Sequence, residues 1–148
     1  MKRRHFTLGT LALAAGLALS STALSDDHIS ESPEGASLYF IGLADGDSVT
    51  SPLTVRFGLN GMGVAPAGVE APSTGHHHLL IDLAELPDMS QPLPATLQVV
   101  HFGGGQTETL VELEPGEHSL QLLLGNHLHI PHDPPVISEK ITITVTTD

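Results

Sequence analysis

The sequence predicts an all-β fold, an antiparallel β-sandwich of immunoglobulin-like size, on three observations. Apolar and polar residues alternate with a period of two, as in Leu53, Val55, Phe57 and Leu59 against Thr54, Arg56 and Gly58, and again in Ile141, Ile143 and Val145 between threonines. Turn residues interrupt the apolar runs at roughly the eight-to-twelve-residue spacing of small sandwiches. No stretch carries a helical period with caps. A small β-barrel is the alternative closure of the same strands.

Strands are expected at Leu38–Leu43, Leu53–Leu59, His77–Leu83, Thr109–Leu113, Glu117–Leu124 and Lys140–Thr146. The first ends at Asp45-Gly46-Asp47. An irregular stretch, Asn60 to Gly75, holds four glycines and two prolines. Pro87 to Pro94 is turn-rich. Pro115-Gly116 lies between two alternating runs and reads as a hairpin turn. Residues 37–148 then make one β-sandwich domain, preceded by a polar, flexible leader over 26–36 with Pro33 and Gly35.

Residues 1–25 read as a secretory signal. Lys2, Arg3 and Arg4 form a basic start, an apolar run follows from Leu8 to Leu19, and Ala23-Leu24-Ser25 supplies small residues for cleavage before Asp26. The apolar run is short of the ~20 residues that span a bilayer. The expected location is the periplasm or the exterior. There is no cysteine, so neither a disulfide nor a lipid-modified cysteine is possible.

Charge narrows the partners. Of five basic residues only Arg56 and Lys140 follow residue 25, against seventeen acids, so the net charge from Asp26 onward is 2 − 17 = −15. Nucleic acid and anionic membranes are repelled. Cations are attracted, although an acidic surface also serves solubility alone.

Six of the ten histidines fall in two short clusters, Gly75-His76-His77-His78-Leu79-Leu80-Ile81-Asp82 and Asn126-His127-Leu128-His129-Ile130-Pro131-His132-Asp133-Pro134-Pro135. A neutral imidazole is the commonest protein ligand for transition metals. On a strand, His77, Leu79, Ile81 and Leu83 point one way, and His76, His78, Leu80 and Asp82 the other. The first set, richer in apolar residues, should face the core, which leaves His76 and His78 side by side on the opposite face, close enough to share an ion. Equally, the three histidines could be ordinary polar residues at a strand start, with His77 hydrogen-bonded in the core. Pro131, Pro134 and Pro135 stiffen the chain around His132, which suits either a ligand loop or a rigid connector. Asp133 could orient an imidazole or simply form a turn.

His101 opens His101-Phe102-Gly103-Gly104-Gly105-Gln106 and is the candidate to bridge the clusters. Its glycines permit close backbone approach, but the lysine and helix of a phosphate loop are missing. They also fit a flexible hairpin tip. His118 lies in an alternating strand and is expected to face solvent. His28 lies in the leader; neither is assigned a role, although an amino-terminal histidine can join a copper site. Met62 offers a thioether, which favours copper(I), but a buried plug is its more usual role. The candidate metal ligands are His76, His78, His101, His129 and His132.

The segments Gly61-Met62-Gly63-Val64-Ala65-Pro66-Ala67-Gly68, Thr74 to Asp82, His101 to Glu108 and His129-Ile130-Pro131-His132-Asp133-Pro134-Pro135 resemble, in that order, the bacterial exported proteins grouped as domain of unknown function 4399. The resemblance covers nearly all of the chain after the signal. It implies a compact exported domain and supplies no activity. In the short turn before His129 this chain carries His127 where other members differ, so His127 ranks below His129 and His132 as a ligand.

Three functions compete. The first is an exported, non-enzymatic protein that binds copper or zinc through nitrogen and oxygen ligands; blue copper is excluded by the missing thiolate. The second is an envelope interaction module that binds another protein without metal. A sugar-stacking platform is disfavoured by zero tryptophans and a single tyrosine, Tyr39. The third is a metal-dependent enzyme, for which no Gly-x-Ser-x-Gly elbow or other substrate signature is present.

Overall fold

The computed structural model describes residues 28–147; the expected signal over 1–25, together with Asp26, Asp27 and Asp148, lies outside the described residues. Nine strands run in order: β1 (Ser37–Ile41), β2 (Ser48–Thr50), β3 (Leu53–Asn60), β4 (Gly63–Val64), β5 (Thr74–Ile81), β6 (Val99–His101), β7 (Glu108–Val111), β8 (Gly116–Gly125) and β9 (Ile141–Thr146). There is no helix among the described residues. A small sheet has the order β1-β3-β7, and a larger one the order β2-β9-β8-β5-β4, with β6 also pairing along the outer edge of β5. Most pairs are antiparallel; β2 with β9 and β4 with β5 are parallel.

The two sheets face each other across one core. Leu38, Leu53, Val55 and Phe57 come from the small sheet, and Leu79, Leu120, Leu122, Leu124, Ile141 and Ile143 from the large one. Full burial of a leucine side chain contributes on the order of 1.5–3 kcal/mol, and Leu79, Leu120, Leu122 and Leu124 are all completely covered. Met62 packs at the margin of this core, which answers the question of its role in favour of the plug.

A second, smaller core lies on the other face of the large sheet. Leu80, Val99 and Leu123 are roofed there by Leu83, Met89 and Leu93 from the long 82–98 connection. That roof explains why Leu122, Leu123 and Leu124 can be buried in succession: a central strand covered on both faces is apolar throughout rather than alternating.

Four local expectations change. Pro115-Gly116 does not close a hairpin: β7 pairs with β3 in the small sheet, whereas β8 pairs with β5 and β9 in the large one. The chain does bend there, but the second half of β8, Leu122 to Leu124, is apolar on both faces and is accommodated at the middle of the larger sheet. The third expected strand begins earlier and ends earlier, at Thr74 and Ile81. Asp82 takes a left-handed φ of 52°, and this bend sends Leu83 to the second core instead of the face of Leu79.

The leader is also tied down over its described part. Asp133 N donates to Ser30 O, Ser32 N donates to Asp133 O, and Ser32 Oγ donates to Pro134 O at 2.7 Å. A polar segment with no apolar face of its own is held by backbone groups of the proline-framed loop, which need partners as much as it does. Finally, His118 is not solvent-facing. Its side chain is 15% exposed, with Nδ1 2.7 Å from Asp82 Oδ2 and Nε2 2.8 Å from Glu114 O.

Candidate metal centre

Strand alternation places His77 and Leu79 toward the main core, and His76 and His78 on the opposite face of β5. The His77 ring packs 5.1 Å from Phe57. The rings of His76 and His78 lie 4.8 Å apart, yet both are buried, at 0% and 1% exposure. The side of the sheet away from the main core is therefore closed at this end as well.

Neighbouring strands build the rest by register. β6 sets His101 directly across from His78, and the two rings stack at 5.1 Å with an 18° interplanar angle. On the other side, β8 sets Gly125 across from His76. A Cβ at Gly125 would stand 2.7 Å from His78 Cε1, so the missing side chain is the room that His78 occupies. Gly103 does the same for His101, whose Cε1 would lie 2.6 Å from an added Cβ. The triple-glycine segment thus yields space to a ligand candidate rather than to a phosphate.

His129 arrives from a tight turn after β8. Asn126 shapes that turn: its Oδ1 accepts from Leu128 N and Ile130 N, and its backbone bonds to His129 N and Ile130 O. His129 adopts a φ of +67°. A non-glycine residue held there costs on the order of 1–3 kcal/mol. The gain is position: His129 Nδ1 sits 3.1 Å from His76 Nε2, and its ring centroid is 4.4 Å from that of His101.

Each of His76, His78, His101 and His129 offers a ring nitrogen, and these atoms all lie within 4.8 Å of one another. In a tetrahedral zinc site with bonds of about 2.0–2.1 Å, the ligand nitrogens lie about 3.3 Å from one another. Inward rotation of the rings, by up to about 1.5 Å for the most distant pair, would therefore close the set on one ion. His132 is placed elsewhere. Its Nε2 donates to Thr74 O at 3.2 Å, and with His127 it lines an adjacent groove of about 470 Å³ whose other walls come from 30–33 and 69–74. Asp133 is exposed, engages the leader through its backbone, and orients no imidazole.

The electrostatics favour neutral rings. Burial, reinforced by the neighbouring His129, His101, His77 and His132, lowers the His76 pKa to about 4. Burial and then His76, His101 and His129 push His78 down to about 3, partly opposed by a backbone contact at His76. His101 is lowered by burial and by His129. Removing an imidazolium from water is costly, and several together repel. His76, His78 and His101 are thus held in the state that binds metal.

Hydrogen bonding leaves an account open. His76 Nδ1 and both ring nitrogens of His78 are buried without a partner. A neutral imidazole always carries one N–H, so His78 buries an unpaired donor, at a cost of about 1–3 kcal/mol. His77 buries both nitrogens in the same state, and burial lowers its pKa to about 4, against a weaker opposing contribution from the Gln106 backbone. It faces the core and belongs to no group of ligands.

The family described as a domain of unknown function (DUF4399) matches residues 55–146. The chain belongs to this family. The match runs from β3 to the end of β9 and so contains all four histidines of the quartet. No curated protein and no solved structure matches the chain. Among the described residues, no helix is long and apolar enough to cross a membrane.

His-x-His alternation identified His76 and His78 as a pair. His101 and His129 join them through strand register and a left-handed turn, neither of which is encoded in local spacing. The role of Gly125 carried no sequence signal beyond a glycine at a strand end.

Proposed function

We propose that this DUF4399 protein is exported and binds one copper or zinc ion, without catalysis, at His76, His78, His101 and His129. One observation carries the reading. Four imidazoles from β5, β6 and the turn after β8 converge within 4.8 Å, while buried nitrogens of His76 and His78 lack partners. A divalent ion would accept the lone pair of one nitrogen from each ring and so partner that atom. Four nitrogen donors without thiolate or carboxylate suit zinc and copper(II), and disfavour calcium and magnesium, which take oxygen. The set is closed by protein ligands, as in structural rather than catalytic zinc sites. A net charge of −15 from Asp26 onward, by the count given above, gathers cations over roughly a Debye length, about 8–10 Å.

The test is isothermal calorimetry of tag-free protein with zinc and with copper(II), beside His76→Ala/His78→Ala and His132→Ala. The parent and His132→Ala should bind with similar affinity, and the double variant should lose this site. Absence of binding of either ion by the parent, or equal affinity in all three, overturns the reading and leaves an envelope interaction module as the better account.

A further inference from the structure

We propose that the leader is a strap that holds His129 in its ligand position, with Asn126 as the positioning residue between them, so that metal binding and leader docking strengthen each other. This rests on the metal site proposed above and concerns its regulation.

Asn126 is buried, at 1% exposure, and its side-chain amide is fully used. Oδ1 accepts from Leu128 N at 2.9 Å and from Ile130 N at 3.1 Å, the two residues that flank His129. Nδ2 donates to His28 O at 2.8 Å and to Ser30 Oγ at 3.1 Å. An amide is planar, so fixing its oxygen also aims its two N–H groups. The turn that carries His129 and the grip on the leader therefore share one rigid group.

The leader is held from this side. Five hydrogen bonds join residues 28–32 to the domain among the described residues, and each ends on Asn126, Asp133 or Pro134. Ile29 adds an apolar flank, in a cleft of about 280 Å³ shared with Leu128 and Ile130. On the other side, Ser30 to Pro33 face the groove toward 69–74.

The turn has a reason to relax when it is released. His129 is a non-glycine residue at a φ of +67°, a conformation that persists only where its surroundings impose it. In a relaxed turn His129 withdraws from His76, and the Asn126 amide loses the two bonds that orient it. An ion favours the strained turn because that turn supplies the fourth imidazole. The leader favours it because that turn aims Nδ2. Two binding events that select the same state couple positively, and by the same factor in both directions.

The experiment is amide hydrogen exchange by NMR on tag-free protein, with and without zinc, beside calorimetry of zinc binding. Ser32 N–H, which donates to Asp133 O, reports leader docking; Gly46 N–H, which donates to Thr142 O, is the control. Zinc should slow exchange at Ser32 by about 5-fold or more and leave Gly46 unchanged. Ser30→Ala/Ser32→Ala removes two of the five bonds and no metal ligand; exchange at residue 32 should quicken and zinc affinity should fall severalfold. Asn126→Ala removes both halves of the link, so zinc should bind more weakly still and no longer slow Ser32. If that variant fails to fold, the serine pair decides alone. Zinc binding by the parent with unchanged exchange at Ser32, or parental zinc affinity in the serine pair, overturns the strap and leaves the metal site standing. No zinc binding by the parent overturns both.

Discussion

Two histidine environments on the large sheet differ most in the partner of the ring. His118, near the start of β8, has a carboxylate on one nitrogen and a carbonyl on the other. Both accept, so the doubly protonated ring is the best-satisfied form, and the hydrogen bond to Asp82 raises its pKa. At the other end of the sheet, His76 and His78 have no carboxylate, are more deeply buried, and sit beside other imidazoles. Their pKa values fall to about 4 and about 3. One environment is complete without a ligand. The other leaves buried ring nitrogens without partners, and that difference marks the quartet as the candidate site and His118 as a structural clamp.

The largest expected effect is on the quartet itself. His76→Ala/His78→Ala should weaken zinc binding by at least about 100-fold, since two of four ligands are gone and removal even of groups that merely orient ligands costs ~10–100-fold. His118→Gln should leave zinc affinity within about twofold. Calorimetry reads both.

Next is linkage between metal and stability. Zinc at a hundredfold excess over its dissociation constant should stabilise the native protein by about 2.7 kcal/mol, a rise in Tm on the order of 10 °C for a domain of this size. A thermal melt with and without zinc checks it, and His76→Ala/His78→Ala should abolish the rise.

Gly125→Ala should cost about 1–3 kcal/mol, because its Cβ would press on the His78 ring at 2.7 Å and a well-packed site relaxes poorly. Urea denaturation measures that cost. Zinc affinity should fall in the same variant, which separates this glycine from one needed only for folding.

Acid and base should act oppositely on the two environments. For metal-free protein, His76, His77 and His78 have folded pKa values of about 4, 4 and 3 against an ordinary 6.5. Between those limits the unfolded chain binds more protons than the native one. Stability is therefore full above about pH 6.5 and falls as pH drops toward 4. For His118 the folded pKa is raised, so its contribution is full below 6.5 and is lost as pH climbs through the folded value. Asp82→Asn should remove only that alkaline loss, an effect below about 1 kcal/mol for a carboxylate 42% exposed. Urea midpoints across pH 4–9 test both signs.

How much of this was readable in advance follows from the range of the interactions. The six longer strands are legible from their own residues: β1, β3, β7, β9 and the first half of β8 alternate a wetter face with a drier one, whereas β5 is covered on both faces and reads only as a strand candidate between turn-rich stretches. β2, β4 and β6 have three, two and three residues, too short for a period to register. The hairpin expected at Pro115-Gly116 failed because a turn is local and a pairing partner is not. His76 and His78 were legible as neighbours on one strand face, but not as buried, since the roof over that face comes from 82–98 and the turn after β8. His129 was one of several candidates in its cluster. What distinguishes it from His132 is a left-handed backbone that no spacing rule reveals.

The most direct measurement is X-ray absorption at the zinc edge on protein loaded with one equivalent at neutral pH. The account predicts four nitrogen neighbours at about 2.0 Å, with the outer-shell scattering of four imidazole rings, reduced by two in His76→Ala/His78→Ala. A shell dominated by oxygen, or fewer than three imidazoles in the parent, would contradict it.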